Sequence, residues 1–277
     1  MPDSYHLHLI SDSTGETVGS VARACLVQFE NVKVVEHVWS LVRTKGQLEK
    51  VVQAIEATPG PVIFTLIDTK LRDFLQERCR RLGIACVSVL DPVMSELGRH
   101  FHSSSSAAPG RQHMMDAEYF ARIDAMHYTL AHDDGQGLHD LERADVVLTG
   151  PSRTSKTPTC VYLANRGIKA ANVPLVPHAQ PPQELLDLRR PLVVGLITEP
   201  ERLVQIRRSR LRLLQDEIET DYTDIDLVED EIRKARRLFS RHEWPVIDVT
   251  RRSIEETAAA VMQKLNERRE AVQAADI

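Results

Sequence analysis

Val146-Val147-Leu148-Thr149-Gly150-Pro151-Ser152-Arg153-Thr154-Ser155-Lys156-Thr157-Pro158 is an apolar run that breaks into a turn of small and polar residues. The apolar part, Asp145–Thr149, is short and bounded by Gly-Pro, as in a buried strand. Gly150, Lys156 and Thr157 stand at the spacing Gly-x-x-x-x-Gly-Lys-Ser/Thr. In that pattern successive backbone N–H groups cradle phosphates, the lysine reaches the transferred group and the hydroxyl ligates Mg²⁺. Ser155 replaces the second glycine and adds a Cβ where close approach is wanted. Pro158 falls where the first turn of a helix tolerates a missing N–H. The bland alternative is a basic turn between strand and helix that binds nothing. The strand, loop and helix context favours a phosphate loop over it.

On both sides of this loop, apolar β-rich runs alternate with helix-period segments. Strands are expected at 5–10, 32–39, 61–66 and 85–89, with helices at 16–29, 45–56 and 71–82. Beyond the loop, strands are expected at 168–173, 192–198 and 246–249, and helices at 159–165, 201–219, 227–240 and 254–268. This βαβα rhythm implies parallel sheets covered by helices. Small and helix-breaking residues cluster from His102 to Gly110, as in a linker, and a helix over 117–131 follows. The expected fold is α/β throughout. An N-terminal parallel-sheet domain spans 1–101, a linker and connecting helix 102–140, and a P-loop kinase-like nucleotide-binding domain 141–277.

Composition narrows the function classes. The 277 residues, 42% hydrophobic and 27% charged, are enough for one large domain or two small ones. A net charge of −5 gives no general pull toward nucleic acid or anionic membranes. Cys25, Cys79, Cys86 and Cys160 form no C-x-x-C pair, which argues against structural zinc or a disulfide framework and fits a reducing compartment. No basic start leads into an apolar run, and no stretch approaches the roughly 18 to 20 apolar residues of a membrane helix. A cytoplasmic protein without a membrane or nucleic-acid partner is the expectation.

Several residues outside the loop are candidates for chemistry. Asp133 and Asp134, just before the strand that feeds the loop, could orient an acceptor hydroxyl or ligate metal; a hydrophilic turn is the alternative. Asp12, Ser13 and Thr14 sit where a strand meets a helix, where hydroxyls cap the helix and its N-terminus makes an anion or partner site. Arg202, Arg207, Arg208, Arg210 and Arg212 interleave with apolar residues, as on an amphipathic helix with a solvated basic face, or in a lid. His6 and His8 share a strand face without a third metal partner and read as packing. Asp248 ends a short strand, and Ser253 with Glu256 forms a capping box.

Four stretches, in this order, carry a resemblance over nearly the whole chain. They are Ile10-Ser11-Asp12-Ser13-Thr14-Gly15, Tyr128-Thr129-Leu130-Ala131-His132-Asp133-Asp134-Gly135, Gly150 through Thr159, and Ala171-Asn172-Val173-Pro174-Leu175-Val176-Pro177. They resemble the pyruvate, phosphate dikinase regulatory protein family, whose sister group regulates phosphoenolpyruvate synthase. That family also carries Ser-Lys where Walker loops have Gly-Lys. The forms around Asp12 and Ser155 are closer to the dikinase branch. The resemblance implies a bifunctional enzyme. As a kinase it uses ADP to phosphorylate a threonine of pyruvate, phosphate dikinase. As a phosphorylase it removes that group with inorganic phosphate, giving pyrophosphate. The implied roles are nucleotide binding for Gly150, Pro151, Ser152, Arg153, Thr154, Ser155, Lys156 and Thr157, with Lys156, Asp133 and Asp134 catalytic and Thr157 on Mg²⁺. Asp12, Ser13 and Thr14 remain as a phosphate or partner site. Two alternatives stay open, the synthase as client and a nucleotide-sensing module without catalysis; a homodimer is a further expectation.

Overall fold

The computed structural model describes residues 4–104, 117–177, 179–213 and 221–275. The chain divides into two compact units, Met1–Met114 and Met115–Ile277.

In the first unit, strands β1 (Tyr5–Ser11), β2 (Val34–Trp39), β3 (Val62–Thr65) and β4 (Cys86–Ser88) alternate with helices α1 (Glu16–Leu26), α2 (Lys45–Ala57), α3 (Thr69–Leu82) and α4 (Asp91–Phe101). All pairings are parallel, and the spatial order is β2-β1-β3-β4. Ile10, Val62 and Phe64 face Leu48, Val52 and Leu75 of α2 and α3 on one side of the sheet. Leu7 and Leu9 face Val18 and Ala22 of α1 on the other. Burial on both sides explains why β3 reads as the apolar run Val62-Ile63-Phe64 rather than as strict alternation. Thr44 and Gln47 start α2 with a reciprocal capping box, and left-handed Gly83 ends α3.

The second unit contains α5 (Ala117–Ala131), β5 (Val146–Gly150), α6 (Lys156–Ala164), β6 (Ala170–Pro174), α7 (Gln183–Leu186), β7 (Leu192–Ile197), α8 (Pro200–Leu213), α9 (Ile225–Arg241), β8 (Val246–Asp248) and α10 (Ile254–Ala275). Its sheet is again all parallel, in the order β6-β5-β7-β8. Val146, Leu148 and Val194 pack on Leu163 of α6 and Val261 of α10. Val147, Val173 and Val193 pack on Tyr128 of α5 and Leu185 of α7. Both units therefore place their first strand second in the sheet. In such open sheets ligands bind beyond the carboxyl ends of the strands, where the order reverses.

The α/β expectation holds, with differences at the margins. Helix α4 was not expected; none of its residues is buried, although Val93, Leu97 and Phe101 recur at helical spacing. Helix α5, read from sequence as a connecting helix, lies in the second unit, where Thr129 donates to the Ala170 carbonyl at 2.8 Å. The expected linker over 102–110 and the end of the helix expected over 201–219 lie partly outside the described residues. The capping box at Ser253 and Glu256 forms in both directions.

Candidate functional site at the end of β5

Strand β5 is buried along its whole length and delivers the chain to Gly150. A Cβ on Gly150 would lie 2.2 Å from the Leu196 carbonyl oxygen of β7, and its φ is +144°, so only glycine fits. The loop then turns through two left-handed residues, Arg153 (φ 73°) and Ser155 (φ 59°). Ser155 stands where Walker loops carry glycine, and its backbone shows why: the position is left-handed. A non-glycine residue there costs about 1 to 2 kcal/mol.

Two buried side chains brace the loop from within. Thr154 Oγ1 donates to the Pro151 carbonyl at 2.9 Å. Lys156 Nζ donates to the same carbonyl at 2.8 Å and to that of Gly150 at 3.0 Å. Lys156 is only 5% exposed, and burial lowers its pKa to about 8, while Cys160, Asp134 and Glu231 act in the opposite sense. Helix α6 begins at Lys156 with no side-chain cap. Its first amides are therefore open to an anion, as helix N-termini generally are.

A second set of groups reaches the loop from β6 and the 132–135 turn. Thr157 Oγ1 donates to Asp133 Oδ1 at 2.9 Å. Asn172 Nδ2 donates to the same carboxylate oxygen at 2.7 Å and to Thr157 Oγ1 at 3.0 Å. The Asn172 main chain holds the turn as well: its N–H donates to the His132 carbonyl and its carbonyl accepts from Gly135 N–H, both at 2.9 Å. His132 is buried, stacks on Tyr128 at 3.8 Å and donates Nδ1–H to the Tyr128 carbonyl. Asp134 is exposed and left-handed (φ 53°). Two hydroxyl and carboxylate oxygens at one point suit a hard cation such as Mg²⁺.

From the other side, Arg207 of α8 reaches under the loop. Its guanidinium donates to the Ser152 carbonyl at 3.3 Å and the Tyr222 carbonyl at 3.1 Å, and pairs with Glu231 of α9 at 2.8 Å. The Tyr222 ring lies 4.4 Å from that guanidinium, and its hydroxyl is 3.2 Å from Ser152 Oγ.

The family model described as kinase/pyrophosphorylase matches residues 7–262. The chain belongs to the kinase/pyrophosphorylase family. Its relatives include proteins provisionally named pyruvate, phosphate dikinase regulatory protein. The one from Paramagnetospirillum magneticum is 58% identical over 94% of this chain and 84% of its own length. Those from Rhodospirillum rubrum and Caulobacter vibrioides are 55% and 53% identical over 95% of this chain, and over 95% and 83% of their own lengths. Among the described residues no helix is long and apolar enough to cross a membrane, and no group of three or more His, Cys, Asp or Glu is arranged to hold a metal.

In this family member the structure brings Asp133, Thr157 and Lys156 to one loop and adds two residues the sequence did not single out as site residues, Asn172 and Glu231. It also alters two sequence expectations. The hydroxyls near Asp12 do not cap α1: the cap position is left-handed Gly15, without a side-chain hydrogen bond. Asp12 is instead buried and accepts from Ile67 N–H at 2.6 Å at the end of β3. Burial holds its pKa above the usual value despite that bond and Arg43. The arginine run is not one solvated face, because Arg207 is 1% exposed. Asp248, at the end of β8, accepts from the Thr250 N–H. His6, His8 and His37 pack together, His8 stacking on His37 at 4.6 Å.

Proposed function

We propose that this protein is a bifunctional phosphotransferase acting on pyruvate, phosphate dikinase, and that the loop Gly150–Thr157 holds a diphosphate in both of its reactions. The observation that carries this is the buried Lys156 ammonium, folded onto the loop at the tip of a buried strand beside the uncapped start of α6. In the kinase direction the client threonine oxygen attacks the β-phosphorus of ADP. The bond to the AMP oxygen breaks, AMP leaves, and the hydroxyl proton passes to a carboxylate. In the phosphorylase direction an oxygen of inorganic phosphate attacks the phosphothreonine phosphorus, giving pyrophosphate and the free hydroxyl. ADP enters the first reaction as a diphosphate and pyrophosphate leaves the second as one, so one cradle serves both.

The roles follow from charge and reach. The backbone N–H groups of Ser152 through Thr157 bind the phosphate oxygens. Lys156 neutralises charge on the transferred group, since phosphoryl transfer is mainly positioning and electrostatics. Asp133 and Asp134 are the acids beside it. Thr157 and Asp133 would hold Mg²⁺, which would supply neutralisation of phosphate charge there. Ser13 and Thr14 are a second phosphate or client contact in the N-terminal unit, on a turn that the buried Asp12 carboxylate ties to Ile67. The relatives' names favour the dikinase over phosphoenolpyruvate synthase as client, and the cytoplasm is the compartment consistent with that client.

The test is incubation with ADP labelled in its β-phosphate and either client enzyme. Label on a dikinase threonine, lost in Lys156→Ala, is the expected result. Binding of ADP without transfer to either client would leave a nucleotide-sensing module.

A further inference from the structure

Beside the phosphate loop, within the second unit, lies a cavity of about 620 Å³. We propose that it receives the polypeptide segment of the client that carries the acceptor hydroxyl. The inference rests on the phosphotransfer reading above.

Its place comes first. The cavity is floored by Arg207, Tyr222 and Glu231. Arg207 and Tyr222 both touch Ser152 of the loop. The cavity therefore adjoins the phosphate loop at Ser152. One wall is the chain leaving β6, at Leu175 and Val176; the other is α9, at Leu227 and Leu238. The first wall leaves the carboxyl end of β6, the end at which open parallel sheets place their substrates, while α9 packs on β7 through Phe239.

Its size and lining come second. The volume lies within the roughly 300 to 1,000 Å³ of sites that enclose a drug-sized ligand, room for one or two side chains of a segment. Apolar walls suit the side chains flanking an acceptor residue. Lys234 of α9 is tied to Asp230 at 2.7 Å. Arg237 and Arg241, also of α9, line the same cavity and add positive charge. Cations there suit the segment in its phosphorylated form, which enters carrying a dianion in the reverse reaction.

The experiment compares the wild type with two surface variants of the full chain, Val176→Glu/Leu227→Glu and Arg241→Glu. Val176 and Leu227 are 59% and 41% exposed, so the fold tolerates polar replacements there. Binding of pyruvate, phosphate dikinase is measured by biolayer interferometry, and binding of ADP and of pyrophosphate by calorimetry. The expected result is client binding weakened at least tenfold in the double variant and severalfold in Arg241→Glu, with both anions bound within twofold of wild type. Unchanged client binding in both variants overturns the proposal. So does loss of ADP affinity with client binding intact, which would make the cavity a nucleoside site, and so does a wild type that does not bind the client. Transfer of label is read separately: a wild type that binds the client in this cavity but transfers nothing overturns the reaction and not the docking site.

Discussion

The Thr157 hydroxyl and the Asp133 carboxylate meet at 2.9 Å, and Asn172 Nδ2 closes the triangle on both. Asp133 is thereby fixed at the mouth of the loop by a side chain that is itself only 2% exposed. Removing that donor should loosen the acid without emptying the loop. Asn172→Ala is expected to lower kcat by about 10- to 100-fold, the range for misplacing a catalytic group, while KM for ADP stays within threefold. Asp133→Asn should lower kcat further. Steady-state kinetics of both variants check this, and equal falls in kcat and rises in KM would point to general damage instead.

Lys156 gives two pH dependences of opposite sign. Its folded-state pKa, about 8, lies below the ordinary value of 10.5 because burial disfavours the ammonium. Between these values the unfolded chain holds more protons, so the Lys156 contribution to stability rises with pH across that window. The charge available to an anion falls over the same range, so diphosphate affinity should drop as pH passes 8. Denaturant melts and pyrophosphate titrations from pH 7 to pH 10, each compared with Lys156→Met, test both signs.

Ser155 offers a backbone test. Its φ of 59° favours glycine. Ser155→Gly should retain activity and relieve some local strain, whereas Ser155→Val should lose loop geometry because a β-branched residue is a poor fit there. A large activity loss in Ser155→Gly would show that the serine hydroxyl itself is needed.

Arg207 and Glu231 form a buried ion pair beneath the loop, 1% and 8% exposed at their side chains. Breaking one partner strands a charge, at a cost of about 3 to 5 kcal/mol. Arg207→Met should therefore be strongly destabilising, and adding Glu231→Gln should recover part of the loss. Urea denaturation of the two single variants and the double variant measures the coupling.

In the N-terminal unit, acid should be destabilising. His8 is held below the ordinary histidine pKa of 6.5, first by burial and then by His37 and His6, while its bond to the Thr58 carbonyl works the other way. The unfolded state therefore takes up the proton first, and the His8 share of stability declines as pH falls through 6.5. A His8→Gln variant should show a flatter stability profile between pH 7 and pH 5.

Much of this was written locally in the sequence. Buried strands such as Val146–Gly150 read correctly because both faces are covered, and the loop showed through its fixed spacing. Strand order was not legible, because parallel pairing such as β5 with β7 joins residues far apart in the chain. Asn172 was overlooked as a site residue within the motif that contains it. A single amide inside a buried strand needs a partner, and that was the available signal. Arg207 was hidden among five arginines, yet it falls three and four residues after buried Val204 and Leu203, on the apolar stripe of α8. Reading the stripe rather than the charge run would have found it. At the end of β1 the hydroxyls expected to cap α1 do not, and the Asp12 carboxylate instead accepts from Ile67 N–H just past β3, a long-range contact that local spacing does not announce.

The central claim is that Gly150–Thr157 grips a diphosphate through its amides and Lys156. Calorimetric titration of pyrophosphate into the wild-type protein and into Lys156→Ala tests it most directly. The account predicts one site per chain, competed by ADP, and lost or weakened at least a hundredfold in the variant at unchanged secondary structure. Equal affinity in the two proteins, or pyrophosphate and ADP binding side by side without competition, would contradict it.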